Sequence, residues 1–242
     1  MLKDNTGSKI PLINFKIQKN HQWINLSTEE IFNNKTVVVF ALPGAYTPTC
    51  SSSHLPRYNE LAPVLKANGV DEVVCVSVND TFVMNAWSKD QEAENILMIP
   101  DGSGEFTDAM GMLVNKNDIG FGSRSWRYSM LVKDGTIEKM FIEPEVEGDP
   151  FEVSDADTML KYINKDAKIP DTATMFSRKG CPHCERAMAL LNQHNIYVEQ
   201  IELDSPVTSR SLRAVSGNSS TPQIFIGGKH IGGADELEKY LS

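Results

Sequence analysis

The run Thr-Val-Val-Val-Phe-Ala-Leu at residues 36–42, stopped by Pro43-Gly44, does most to limit what this chain can become. It is short and rich in β-branched side chains, so it reads as a fully buried strand. A turn-rich loop, Pro43-Gly44-Ala45-Tyr46-Thr47-Pro48-Thr49-Cys50, follows it, and then Leu55, Tyr58, Ala62 and Leu65 recur at helical spacing. Thr49 is the expected N-cap, which places Cys50 in the first helical turn. The positive end of a helix favours a thiolate at such a place. A free cysteine more commonly packs in a core. The strand, loop and helix start around Cys50 favour a reactive thiol instead. Pro56 is expected to kink or restart the helix. A second apolar strand at 72–78 completes strand, helix, strand, the pattern of a parallel βαβ unit in an α/β fold. Cys75 stands among the valines of that strand and reads as a core thiol rather than a resolving partner for Cys50.

The pieces on either side extend this unit. Ile10-Pro11-Leu12-Ile13 and Trp23-Ile24-Asn25-Leu26 read as hairpin strands. Residues 81–94 form a helical pattern with Phe82, Val83, Ala86 and Trp87 on one face, and 96–100 a short buried strand. Asp134-Gly135 is a tight turn between two strands. Arg124 and Arg127 enter a strand edge; such a pair forms a solvated or ion-paired surface, or one of them faces a cysteine thiolate. Residues 143–157 hold seven acids and no base, interrupted by Pro144, Gly148 and Pro150. They read as a surface loop running up to a helix at 155–163.

A polar, proline-marked stretch at 166–171 is the expected linker between a domain at 1–165 and a second at 172–242. Residues 171–242 carry 7 basic and 8 acidic side chains, so nearly all of the net charge of -9 belongs to the first part. That sign argues against nucleic acid and anionic membrane as partners, and the run at 37–42 is far too short to span a bilayer. The first residues carry no apolar core of a secretory signal, so the cytoplasm is expected. There the four cysteines would be reduced.

The second part starts again with a strand, Ala173-Thr174-Met175-Phe176, followed by Cys181-Pro182-His183-Cys184 and a helical face of Ala187, Leu190 and Leu191. A strand at 198–203, a helix starting at Ser205-Pro206, a strand after Thr221-Pro222, another near His230-Ile231 and a last helix opened by Gly232-Gly233-Ala234-Asp235 give the order βαβαββα. Zinc needs four ligands and this domain offers no third cysteine; His183, His194 and His230 could complete a site only with fortunate geometry, so no metal is expected. A Cys-x-x-Cys at a helix start reads instead as a thiol–disulfide exchange pair. Cys181 is its exposed nucleophile, with a pKa lowered by the helix end and by Arg178 or Lys179. Cys184 is one turn on.

On Cys-Pro-His-Cys, Thr-Pro before a strand and Gly-Gly-Ala-Asp before the last helix, residues from about 171 onward resemble glutaredoxins. The resemblance implies a thioredoxin fold, a cis bond before Pro222 and a site for glutathione. There Arg178 meets the glycine carboxylate, the Thr221 backbone pairs with the cysteine part, and Ala234 and Asp235 hold the γ-glutamyl end. On P-G-A-Y-T-P-T-C-S-S-S-H-L-P at 43–56, V-S-V-N-D at 76–80 and G-S-R-S-W-R-Y at 122–128, residues 1 to about 165 resemble peroxiredoxins of the fifth type, called type II in plants. This implies a second thioredoxin fold, Cys50 as the peroxidatic thiol, Thr47 as a hydroxyl bonding the peroxide, Pro43 as a shield and Arg127 as the thiolate's partner, with Arg124 in support. It also implies a homodimer or higher homo-oligomer through this domain.

The expected whole is a thiol peroxidase acting on hydrogen peroxide and alkyl hydroperoxides, with glutathione as reducing cosubstrate and no permanently bound cofactor. Cys50 is oxidised to a sulfenic acid, glutathionylated, and regenerated through Cys181. One alternative is a thioredoxin-dependent peroxidase with an independent deglutathionylating domain. Another is a peroxide sensor that relays oxidation to client proteins, which would show slow turnover and trapped mixed disulfides. A third is an iron–sulfur carrier built on Cys181 and glutathione.

Overall fold

A computed structural model of the chain describes residues 2–19, 22–169, 172–194 and 196–242. The chain divides into two compact units, Met1–Ala167 and Lys168–Ser242. Of the expected linker, residues 170 and 171 lie outside the described residues.

In the first unit the order is β1 (Asn14–Lys19), β2 (Gln22–Ser27), α1 (Thr28–Phe32), β3 (Thr36–Leu42), α2 (Leu55–Ala67), β4 (Glu72–Ser77), α3 (Thr81–Asp90) and β5 (Leu97–Pro100). It continues through α4 (Glu105–Ala109), β6 (Leu113–Asn115), β7 (Ser123–Ser125), β8 (Tyr128–Lys133), β9 (Thr136–Ile142) and α5 (Ala156–Ile163). Five strands form one sheet in the order β5-β4-β3-β8-β9, with β3, β4 and β5 parallel and β8 running against both β3 and β9. The apolar run is thus the central strand. Alternation divides it between two layers: Val38, Phe40 and Leu42 pack toward α2, α3 and α5, while Val37, Val39 and Ala41 pack toward Phe15, Ile31 and Phe106. Cys75 is buried beside Phe40, its register partner.

Register decides which loops meet. Leu42 lies beside Ser77, and Ala41 lies opposite Tyr128. The residues after Leu42, those after Ser77 and those just before Tyr128 therefore gather at one end of the sheet. That is the end where strand-to-helix loops of parallel sheets commonly hold ligands.

Four local expectations need correction. Helical backbone is already present at Pro48 and Thr49, and Thr49 makes no side-chain cap. Residues Cys50–His54 form a widened π turn, with Leu55 N–H bonded to the Cys50 carbonyl. Pro56, which has no N–H and crowds the turn before it, stands directly after that widened stretch. The N-terminal hairpin is β1–β2, so Ile10–Ile13 runs ahead of it. The buried face of α3 is Thr81, Met84 and Trp87, because Asp80 caps the helix and sets its phase; Phe82 is exposed, edge-on to Trp23. The acidic stretch does form a surface loop, exposed at 145–149, but not a free one, since Glu143 and Ser154 anchor it from buried positions.

The second unit comprises β10 (Ala173–Ser177), α6 (Pro182–Gln193), β11 (Val198–Glu202), α7 (Ser209–Ser216), β12 (Gln223–Ile226), β13 (Lys229–Gly232) and α8 (Ala234–Leu241). Its sheet runs β11-β10-β12-β13, with β10 and β11 parallel and the other pairs antiparallel. Ser205-Pro206 does not start a helix; the bond is cis, and α7 begins at Ser209 under a Thr208 cap. Both units are mixed α/β. Among the described residues no helix is long and apolar enough to cross a membrane.

Candidate active site

At the gathered end of the first sheet, Cys50 is fully buried in the first turn of the helix that follows β3. Nη1 of Arg127 is 3.5 Å from its Sγ. Arg127 comes there because it directly precedes Tyr128, whose partner is Ala41. The guanidinium is only 1% exposed, so it is no solvated surface group. Its Nη1 also donates to Nδ1 of His54 at 3.1 Å, and its Nη2 pairs with Asp149 at 2.5 Å. Its Cζ lies over the Phe151 ring, 5.5 Å from the centroid. Nε has no hydrogen-bond partner among the described residues, which leaves one buried donor uncommitted.

The loop before Cys50 is braced from two sides. Asn79, just beyond β4, accepts the Ala45 amide at 3.0 Å and the Ser77 hydroxyl at 2.7 Å. Arg124 donates to the carbonyls of Val78 and Phe121 and so stays off the sulfur. The Thr47 hydroxyl donates to the Gly44 carbonyl at 2.8 Å, so toward a further ligand it acts as an acceptor. Pro43 is half-buried at the mouth of the loop. Below Cys50, Trp87 Nε1 donates to the Ser51 hydroxyl at 3.0 Å.

Three residues here were given no role by sequence reasoning. His54, within the quoted motif and four residues after Cys50, has a spacing that could have flagged it. Its Nε2 donates to the Ser154 carbonyl at 3.2 Å, and its ring lies between Phe40 and Phe151. Burial, and then the neighbouring Arg127 charge, lower its pKa to about 3. Glu143 holds the returning chain: its carboxylate accepts the amides of Glu152, Val153 and Ser154 and the Ser154 hydroxyl. Asp149, the third, is 42% exposed and forms the outer half of the ion pair with Arg127. Nothing in their local sequence distinguishes Glu143 and Asp149 from the other acids of that run.

A pH consequence follows from His54. The unfolded chain takes up a proton near pH 6.5, while the folded chain resists it until about pH 3. Stability is therefore lost as pH falls through that window, with a limiting slope of about 1.4 kcal/mol per pH unit from this one group. In urea unfolding followed by tryptophan fluorescence, His54→Asn should show a shallower acid loss than the unmodified chain between pH 6.5 and 5. Trp23, Trp87 and Trp126 all lie in the first unit, so the signal reports that unit alone.

In the second unit Cys181 is the N-cap of α6, and its sulfur accepts the Cys184 amide at 3.3 Å. The Thr221 hydroxyl donates to the same sulfur at 3.8 Å, from the residue before the cis bond to Pro222. Burial works against a Cys181 thiolate, but hydrogen bonds from Cys184, Thr221 and the His183 amide outweigh it, so the pKa is lowered. Cys184, buried, is raised by burial and by its hydrogen bond with Cys181. Arg178 and Lys179 are not the cause of the lowering. Arg178 is bonded to the Ser209 hydroxyl, which leaves its charge exposed on the rim. A cleft of about 530 Å³ runs from Thr221 and Pro222 past His183 to Ala234 and Asp235. Across it, Asp235 is paired with Arg186.

The family model for Redoxin matches residues 5–160, and that for Glutaredoxin matches residues 173–231. The chain is 59% identical over 236 residues to the hybrid peroxiredoxin hyPrx5 of Haemophilus influenzae, covering 98% of each. It is 53% identical over 178 residues to peroxiredoxin sll1621 of Synechocystis, covering 68% of this chain and 94% of the relative. Among solved structures, reduced Prx3 of Vibrio vulnificus in complex with hydrogen peroxide superposes with a TM-score of 0.63 at 41% identity, over 66% of this chain and 99% of that one.

Proposed function

The chain belongs to the Redoxin family as a peroxiredoxin, a peroxidase, with a glutaredoxin domain joined behind it, and from this premise we propose that its peroxidase cycle runs on glutathione. The observation that carries the reading is the pairing of two different thiols in one chain. One is buried under a guanidinium at 3.5 Å. The other caps a helix beside a cleft, with its pKa lowered.

In the proposed cycle the Cys50 thiolate attacks one oxygen of the peroxide. The O–O bond breaks, the sulfur becomes a sulfenic acid, and the leaving oxygen departs as alcohol or water after taking a proton. Arg127 supplies charge and a donor for the oxygen that becomes negative, and Thr47 accepts the hydrogen bond of the incoming hydroperoxide. Pro43 shields the site from water. Glutathione condenses with the sulfenic acid and releases water. The Cys181 thiolate then attacks the glutathione sulfur and frees Cys50. A second glutathione attacks the glutathionyl sulfur on Cys181 and leaves as glutathione disulfide; alternatively Cys184 attacks the Cys181 sulfur, expels glutathione, and the resulting Cys181–Cys184 disulfide is reduced by two glutathione molecules. The balance is one hydroperoxide and two glutathione molecules to alcohol, water and glutathione disulfide. Hydrogen peroxide and alkyl hydroperoxides are the substrates.

Each candidate in the second unit has a part. Arg178 offers an exposed cation for the glycine carboxylate, the Thr221 backbone pairs with the cysteine portion, and Pro222 fixes that backbone. Ala234 N–H and the Asp235 carboxylate receive the γ-glutamyl end. Thr221 adds a hydroxyl that donates to the Cys181 sulfur. The test is turnover of hydrogen peroxide with one reductant at a time. Glutathione alone should sustain it at millimolar concentration, and Cys75→Ser should leave it unchanged within about twofold, because Cys75 is a core side chain. Turnover with thioredoxin but not with glutathione would overturn the reading. The cytoplasm and a homodimer or higher homo-oligomer through the first unit are part of the proposal.

A further inference from the structure

Among the described residues Arg127 has two ionic partners, Cys50 and Asp149, and neither is constant. Cys50 changes from thiolate to sulfenic acid to mixed disulfide during the cycle. Asp149 stands 42% exposed on an acidic stretch, where water competes for it. A guanidinium is a rigid fork whose aim depends on what holds its other donors. The group that holds Arg127 from inside the protein is His54, which is fully buried.

We propose that His54 is the positioning residue of the peroxide step: a permanently neutral acceptor whose Nδ1 holds Nη1 of Arg127 and thereby aims the guanidinium at the Cys50 sulfur. The geometry leaves the imidazole one arrangement. Nε2 is 3.2 Å from the Ser154 carbonyl, which can only accept, so Nε2 carries the proton and Nδ1 is the bare nitrogen facing Arg127 at 3.1 Å. The ring cannot swing away, being held at 5.0 Å from Phe40, 5.5 Å from Tyr58 and 4.9 Å from Phe151. Ser154 in turn cannot move, because Glu143 accepts both its amide and its hydroxyl. The chain of contacts Glu143, Ser154, His54, Arg127, Cys50 joins the far end of the acidic stretch to the reacting sulfur. A protonated ring would set two cations 3.1 Å apart, and the low pKa of His54 keeps it neutral at working pH. This acceptor is the same before and after the sulfur loses its charge, which is what a preorganised site requires.

The inference rests on Cys50 being the thiol that peroxide attacks, and its test reads that step without any reductant. The reduced full-length chain is mixed with hydrogen peroxide, and Cys50 oxidation is followed by tryptophan fluorescence, since Trp87 is bonded to Ser51 beside it. Mass spectrometry then confirms the gain of one oxygen on Cys50. Asparagine places an oxygen acceptor where Nδ1 stands, glutamine places its polar end where Nε2 stands, and leucine has no acceptor. His54→Asn should react within about fivefold of the unmodified chain, while His54→Leu and His54→Gln should each be slower by about 10²-fold, the scale for losing one aimed donor. The second-order reaction of glutathione with the oxidised chain should change less than about threefold in all three variants. Equal rates for asparagine and glutamine, fast or slow, would overturn the inference, and that comparison remains even where leucine fails to fold. A chain in which peroxide oxidises a thiol other than Cys50 would instead sink the premise.

Discussion

Cys50→Ser is expected to abolish peroxide consumption with every reductant, whereas Cys181→Ser abolishes only the cycle supported by glutathione. The first follows from the nucleophile. A serine hydroxyl is not ionised at neutral pH, and Arg127 can stabilise an anion only where one forms. The second follows from the chemistry after oxidation. Cys75, the other thiol of the first unit, is fully buried in a strand, with its pKa raised by burial, and offers no ready nucleophile to close a disulfide. In the proposed cycle regeneration therefore passes to a thiol outside that unit. Cys181 carries the lowered pKa and Cys184 the raised one, so at neutral pH the first is the attacking sulfur. A single turnover separates the cases: Cys181→Ser should still consume one equivalent of peroxide at the normal rate and then stop with glutathione on Cys50. Continued glutathione-supported turnover in Cys181→Ser would remove the second unit from the cycle.

Arg127→Leu should lower the rate of Cys50 oxidation by about 10²- to 10³-fold, the usual cost of deleting one aimed donor from a site where charge develops. Stability should change far less. Leucine fills much of the volume, Asp149 is already 42% exposed and can be hydrated, and the unpartnered Nε disappears with the side chain. What remains is His54 Nδ1 without its donor, at about 1–3 kcal/mol. Arg127→Lys should recover little of the rate, because one ammonium cannot reach Cys50, His54 and Asp149 together in the fork geometry that Arg127 uses. Stopped-flow oxidation and urea unfolding on the same samples check both halves. A large loss of stability alongside the loss of rate would make Arg127 a structural element first.

Much of the fold was legible because its determinants are local. The apolar run at 36–42 states a doubly covered strand through its composition, and Cys50 and Cys181 each follow a strand into a helix start. The helical face of α2 was also readable, since Leu55, Tyr58, Ala62 and Leu65 are all buried. Errors fell where one residue sets a phase or a later segment supplies the partner. Asp80 turns α3 so that Phe82 points out and Met84 points in. Arg178 finds Ser209 at the start of α7 instead of the sulfur. The acidic stretch looked solvated because seven acids in fifteen positions ordinarily are. One of those acids instead meets three backbone amides and a hydroxyl, and enough hydrogen bonds make a buried carboxylate tolerable.

By itself the sequence determined that two α/β units follow one another, that each presents a cysteine at a helix start, and that Cys75 lies in a strand. Those are properties of neighbours along the chain, where spacing alone decides which face a side chain takes. The tertiary structure decided what surrounds the first sulfur. Arg127 is 77 residues from Cys50, and Ser154 is 100 residues from His54. Only the register of β3 with β8, which sets Ala41 opposite Tyr128, and the clamp of Glu143 on the returning chain bring these groups together.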